Sequence, residues 1–367
     1  MLKSFVKMML PQKLIYFVTF VKVWIDLRFV SIMGRWRKSA DLYYLFSSAF
    51  SNEHKAVLQG RKGYHASLIN IGETSALLRR NTHRLEKGLI MRPRRSVFAE
   101  GFIQETVECY SDAVCAPRLS ESEKKWATDV LDEYFRIVGF TRVIDKARAD
   151  YTKARCNSVP INLHHKDSLL DSTSRYMPYV YNQLPDADVS FTELKQLFVR
   201  RRSVRWYQDR LVPLAVVQKA ANAASLAPSA CNRQPYRFIF CNKPEQVVAI
   251  ASCATGTSGY AANLPAIIAV VGDLSAYPFE RDRHLIYIDG SLAAMQLMLA
   301  LETLGLSSCP INWPEVDTSE QKIRKIINLK GYEKIVMLLA VGYADKDGGI
   351  PYSQKKMHNL ILEDISK

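Results

Sequence analysis

Between positions 291 and 306 the chain is apolar almost all the way round a helix. Met295, Leu297, Met298, Leu299, Leu301 and Leu304 fall on several sides of the wheel. A helix without a polar face has to be covered on every side. In a chain of 367 residues, long enough for two domains and a sizeable core, this segment is expected at the centre, with a subunit interface as one of its covers. Three further segments, 238–241, 266–271 and 335–341, are apolar enough to be strands buried on both faces.

Charge narrows the partners. The formal net charge is +14, which favours an anionic partner such as a phosphorylated cofactor, an anionic substrate or an acidic membrane surface. Nucleic acid is not expected, because no reading motif occurs and the aromatics are not interleaved with the basic residues. The seven cysteines are scattered, with no Cys-x-x-Cys and no zinc spacing, so they are read as reduced thiols of a cytoplasmic protein. No triad, metal site or carboxylate pair emerges, and no catalytic side chain is assigned.

Two short stretches carry chemistry. Ser190 and Glu193 form a capping box that starts a helix, and that helix delivers Arg201-Arg202-Ser203-Val204-Arg205. Its guanidiniums stay charged at neutral pH and present planar forks suited to phosphate oxygens, with Ser203 adding a hydroxyl. Pro213 falls in the first turn of the next helix, which Pro228 ends. The second stretch, Pro228-Ser229-Ala230-Cys231-Asn232-Arg233-Gln234-Pro235, is a turn whose amides suit a heterocycle edge. One stretch holds a phosphate and the other reads a ring, as for a mononucleotide-type cofactor.

The strings RRSVRWY and AASLAPSACNRQPYRFI, in that order, resemble the FMN-dependent nitroreductase family. LGLSSCPINW and AVGYAD followed by SQKKMHNLI extend the resemblance over 190–367. It implies a nitroreductase-like α+β fold, a central mixed sheet flanked by helices, and a homodimer built on long central helices. It also implies FMN as cofactor, reduced by NADH or NADPH in a ping-pong cycle, the nicotinamide binding transiently. Carried over by position, Arg201, Ser203 and Arg205 resemble the residues for the FMN phosphate and ribityl chain, with Arg202 beside the ring edge. Pro228, Ser229, Ala230 and Asn232 match the segment that reaches the flavin of the partner subunit. Pro310, Ile311 and Asn312 match a loop on one flavin face, where Trp313 is expected to narrow the pocket. Lys355 and Lys356 fall where a second pair of cations closes on the phosphate. Asn312 stands where some members carry an acid, which leaves the substrate open.

The first half lies outside the minimal family. Residues 1–180 are expected to form a helical, basic region ending in an irregular connector that carries the pair His164-His165, before the flavin domain at 190–367. The first 39 residues lack a signal-peptide cleavage site and an uninterrupted membrane span. Lys3, Lys7, Lys13 and Lys22 with Phe5, Leu14, Phe17, Phe20 and Trp24 allow two readings: a helix packed on the rest of the protein, or one lying on an anionic bilayer. From Arg79 to Arg95 seven cations face one acid, Glu86. Breaks at Gly88 and Pro93 would fold this run into either a solvated basic face or a site for an anionic second substrate. The extended form resembles members associated with surface-polysaccharide synthesis. The competing function is a non-enzymatic or membrane-peripheral partner protein that retains the fold.

Overall fold

The computed structural model describes residues 12–156, 175–358 and 361–366. Lys3, Lys7, Phe5 and the His164-His165 pair lie outside the described residues. The chain separates into two compact units, 1–55 and 56–367.

The first unit carries helices α1 (Gln12–Met33) and α2 (Arg37–Leu45). In α1, Tyr16, Phe17, Phe20, Trp24 and Leu27 are all exposed. Arg28 stacks on Trp24 at 4.7 Å. Helix α3 (Ser51–Ile69) begins in this unit and continues into the second.

In the second unit, α4 (Ala76–Leu89), α5 (Ile103–Cys115), α6 (Glu121–Ile137) and α7 (Arg142–Cys156) pack around Leu78, Leu85, Tyr110, Leu131 and Tyr134. Each presents an apolar stripe at helical spacing, which is why they assemble as a layer. Helix α4 starts with Ser75, whose hydroxyl accepts the Leu78 N–H. Gly88 does not break α4 as expected. The helix runs through it to Leu89, and the Phe98 ring occupies the space where a Cβ would stand, 2.5 Å away.

The remainder comprises α8 (Phe191–Arg200), α9 (Leu214–Ala224), β1 (Tyr236–Cys241), α10 (Pro244–Ala251), β2 (Ala266–Asp273), α11 (Leu285–Thr303), β3 (Ser307–Ile311), α12 (Asp317–Ile326) and β4 (Glu333–Gly342). The sheet order is β1-β2-β4-β3. All three ladders are antiparallel, where a mixed sheet was expected; Ser203 to Ser308 is an isolated parallel bridge outside the named strands, at the β3 edge. Period-2 alternation divides the core. Ile268 and Val270 face α9 and α11, with Val217, Leu297 and Leu301. Ile267, Ala269 and Val271 face α10 and α12, with Val247, Ile250 and Ile323. Strand β2 is buried almost throughout, but β1 is a half-buried edge, so burial on both faces holds only for the central strands. The fold is α+β, with a mostly helical N-terminal part.

Helix α11 is central, covered by α9 and the sheet. Its cover is incomplete: Ile288, Leu292 and Met295 are 53%, 44% and 38% exposed. They fall at i, i+4 and i+7, one stripe of the helix.

Candidate functional site

The capping box forms as expected. Ser190 Oγ accepts the Glu193 N–H, and Glu193 Oε2 accepts the Ser190 N–H at 2.8 Å. Helix α8 therefore starts at a fixed point and ends at Arg201, its C-cap. Beyond it the backbone is held by the Ser203–Ser308 bridge and by the Val204 N–H donating to the Ser308 carbonyl at 3.2 Å. Side chains alternate along such a segment. Val204 is buried in the core, so Arg201, Ser203 and Arg205 share the other side.

These three residues are half-buried. Arg205 Nη1 donates to the Ser203 carbonyl at 3.4 Å and its guanidinium lies 5.8 Å from the Tyr260 ring. Among the described residues no carboxylate pairs with Arg201 or Arg205. Glu302, buried at the end of α11, pairs with Arg200 at 3.1 Å and takes the Ser307 hydroxyl at 3.3 Å. Burial pushes the Glu302 carboxyl above its usual range, with Arg200 acting in the opposite direction. Ser308, across the bridge from Ser203, is wholly buried and its hydroxyl has no partner. Unpaired guanidiniums beside an unsatisfied hydroxyl suit a multi-oxygen anion. Arg202 faces elsewhere: Nη2 donates to the carbonyls of Tyr352 at 2.6 Å and Pro351 at 3.3 Å. That brings the tail near the segment, while Lys355 and Lys356 three and four residues on are exposed.

The second stretch is a 3-10 turn, Ala230–Asn232, with three non-glycine residues at positive φ: Cys231 (54°), Asn232 (51°) and Gln234 (50°). Its bonds are internal and long-range. Ser229 Oγ accepts the Gln234 N–H and Asn232 Oδ1 accepts Gln234 Nε2, both at 3.1 Å. The Asn232 amide oxygen is thus engaged within the turn. Asp289 of α11 accepts the Ala230 N–H at 2.9 Å and the Tyr277 hydroxyl at 3.3 Å. Burial lifts the Asp289 carboxyl above its usual range, against these two bonds and Arg233. Arg79 Nε donates to the Asn232 carbonyl at 2.8 Å, while its Nη1 pairs with Glu123 at 3.0 Å.

The third stretch is largely strand. Pro310 and Ile311 belong to edge strand β3, where a missing N–H is tolerated. Asn312 is exposed just beyond it. Trp313 does not narrow a pocket. It is buried in the core, and its Nε1–H donates to Glu320 at 2.6 Å. Sequence reading gave no role to Asp289 or Ser308, and it placed Arg79 in the basic run and Arg233 in the second stretch without joining the two. Asp289 left a signal as an acid near the start of an otherwise apolar helix.

The basic run divides. Arg79, Arg80 and Arg84 are half-buried on α4, whereas Arg92, Arg94 and Arg95 are exposed beyond it. His83 bonds Glu86 at 3.2 Å, and Glu86 also accepts the Trp126 N–H at 2.9 Å.

The nitroreductase family profile matches residues 199–257 and 252–343. A protein of Archaeoglobus fulgidus, provisionally named an NADH dehydrogenase/NAD(P)H nitroreductase, is 30% identical over 151 residues, 41% of this chain and 82% of that protein. The chain belongs to the nitroreductase family. It is also similar to an NADH dehydrogenase of Thermus thermophilus, 26% identical over 48% of this chain and 98% of the relative. Mouse iodotyrosine deiodinase 1 is 21% identical over 52% of the chain and 77% of that protein. Among solved structures, an FMN-dependent nitroreductase from Clostridium difficile aligns with a TM-score of 0.40 at 24% identity, over 47% of this chain and 98% of that one. At the family's level the chain is a flavin-type oxidoreductase.

Proposed function

We propose that the protein binds FMN and passes electrons from NADH or NADPH to a second, anionic substrate. The observation carrying this reading is the alignment of Arg201, Ser203 and Arg205 on one side of an extended segment, without acidic partners and beside the unsatisfied Ser308 hydroxyl. Two guanidiniums and a hydroxyl match the charge and oxygen count of a phosphate monoester. Bound flavin supplies hydride acceptance and onward electron transfer. The chain's own residues bind and orient. Arg201 and Arg205 hold the phosphate, the 228–232 turn and the 310–312 segment border the ring, and Lys355 and Lys356 approach with the tail that Arg202 anchors. No side chain is assigned a proton-transfer step.

A second copy of the chain completes this reading. The exposed stripe Ile288, Leu292 and Met295 on a central helix is apolar surface of the kind that marks subunit contacts. A cytoplasmic setting, with α1 resting on membrane lipid, belongs to the same proposal. It is supported by seven free cysteines and the exposed aromatics of α1.

The test is the absorbance spectrum and mass of the cofactor that co-purifies, followed by stopped-flow reduction with each nicotinamide. A yellow protein holding FMN and bleached by NADH or NADPH is expected. A colourless protein that FMN cannot reconstitute would refute the enzyme and favour the non-enzymatic reading.

A further inference from the structure

Helix α4 packs directly on the Ala230–Asn232 turn. Arg80 and Arg84, four residues apart, lie on one side of it. Arg84 stacks on Phe102 at 3.6 Å and gives one bond, to Asn81 Oδ1 at 3.3 Å. Arg233 follows the turn directly. It is 8% exposed, stacks on Tyr277 at 4.8 Å, and its Nε has no hydrogen-bond partner. Among the described residues none of these three guanidiniums has a carboxylate at ion-pair distance. Two acids stand near, and both are engaged: Glu105 accepts from Asn81 at 2.9 Å, and Asp289 from Ala230 and Tyr277.

A guanidinium taken out of water without a counter-charge is costly, and the cost grows when like charges are set together. The Arg84 pKa reflects both. Burial first and Arg80 second push it below its usual value, with Glu105 opposing. The same neighbours, Arg80, Arg233 and Glu105, all act on the Tyr64 hydroxyl, which burial shifts upward. Arg80 and Arg84 thus stand on the helix packed against the turn, and Arg233 follows that turn directly.

We propose that Arg80, Arg84 and Arg233 form an oxyanion site, separate from the 201–205 segment, for the phosphate or carboxylate of the substrate that receives the electrons. Its link to electron transfer rests on the flavin reading above; the anion site itself does not. Planar, permanently charged forks from two elements suit a multi-oxygen anion better than a point charge. The exposed Arg92, Arg94 and Arg95 are outside the site.

The experiment titrates the full-length protein, as purified, with inorganic phosphate by calorimetry, and then with acetate in competition. Wild type should bind phosphate saturably in addition to any flavin. Arg80→Ala with Arg84→Ala should weaken it by about tenfold or more, while flavin absorbance stays unchanged. If that variant melts early, Arg84→Gln carries the comparison, because it keeps the helix and leaves Arg233 untouched. Displacement of phosphate by acetate would assign a carboxylate-tolerant site, and its absence a phosphate-selective one; either outcome supports the proposal. No saturable phosphate binding, or equal affinity in wild type and variants, overturns it. A colourless protein that still binds phosphate through these arginines would sink the flavin reading and leave the site standing.

Discussion

Replacing Arg201 by alanine isolates the phosphate contact more cleanly than any other substitution in the 201–205 segment. No hydrogen bond or ion pair within the chain is given up by the Arg201 side chain among the described residues, and its backbone N–H bond to Leu197 at 2.9 Å survives. The loss should therefore fall on the ligand. One charge-assisted contact contributes about 1.5–3 kcal/mol, or roughly ten- to a hundredfold in FMN affinity. Arg205→Ala should cost as much affinity and some stability too, because its guanidinium also lies over Tyr260 at 5.8 Å, a contact of about 0.5–1 kcal/mol. Arg202→Ala should behave differently, since its bonds go to the carbonyls of Pro351 and Tyr352. It should loosen the tail and change FMN affinity least. Fluorescence titration of apoprotein, with melting curves alongside, measures all three. Unchanged affinity in both Arg201→Ala and Arg205→Ala, or a greater loss in Arg202→Ala, would refute the assignment.

Leu292→Glu puts a charge in the exposed stripe of α11 without disturbing its buried side, and should turn a dimer into a monomer with reduced flavin content by light scattering; a variant of unchanged mass rules out this stripe. Helix α1 should bind vesicles containing phosphatidylglycerol and not pure phosphatidylcholine, with Phe17→Ser and Phe20→Ser abolishing co-sedimentation; equal binding to both lipids counts against the basic residues' role. Asp289 has a folded-state pKa raised by burial, so its ionisation costs stability above that value, and the cost is relieved as pH falls toward the unfolded value of about 4. The stability of Asp289→Asn relative to wild type should accordingly be highest at neutral pH and shrink on acidification in denaturant melts, and the opposite slope refutes the assignment.

The central strands were legible because 266–271 and 335–341 are short, uninterrupted apolar runs, the pattern of a strand covered on both faces. Strand β3 was not. Ser307, Ser308, Cys309 and Pro310 carry little strand preference, and Pro310 is tolerated because β3 is an edge. The capping box at Ser190 was legible because its two bonds are local. Gly88 misled for a physical reason: glycine marks a break or a close approach with equal force in sequence, and here Phe98 fills the space. Arg201, Ser203 and Arg205, proposed for the phosphate, stand at alternate positions, so their shared side follows from the extended backbone of the segment. The supports of the second stretch could not be read in this way. Asp289 lies 59 residues from Ala230, and Arg79 lies 153 residues from Asn232, separations at which no periodicity connects them.

Those long-range supports tie the helical layer to the sheet domain within the compact unit from 56 onward. Cys231, Asn232 and Gln234 hold left-handed backbone that costs about 1–2 kcal/mol per residue for side chains with a Cβ, less for asparagine. The bonds that Gln234 donates within the turn, to Ser229 Oγ and to Asn232 Oδ1, are neutral and contribute about 0.5–1.5 kcal/mol each. They offset part of the strain. The charge-assisted bond that Arg79 donates to the Asn232 carbonyl contributes about 1.5–3 kcal/mol and tips the balance, while Asp289, accepting the Ala230 N–H, adds its bond net of the cost of burying the carboxyl. One comes from the central helix of the sheet domain and the other from α4. Arg79 is itself held by Glu123, which also accepts the Thr74 hydroxyl at 2.7 Å and the Ser75 N–H at 2.9 Å. The turn thus keeps its shape through a chain of contacts running from α6 through the start of α4 to Asn232. In this protein the helical layer is a strut for the turn proposed to border the flavin, and the arginines of the oxyanion site stand on that same strut.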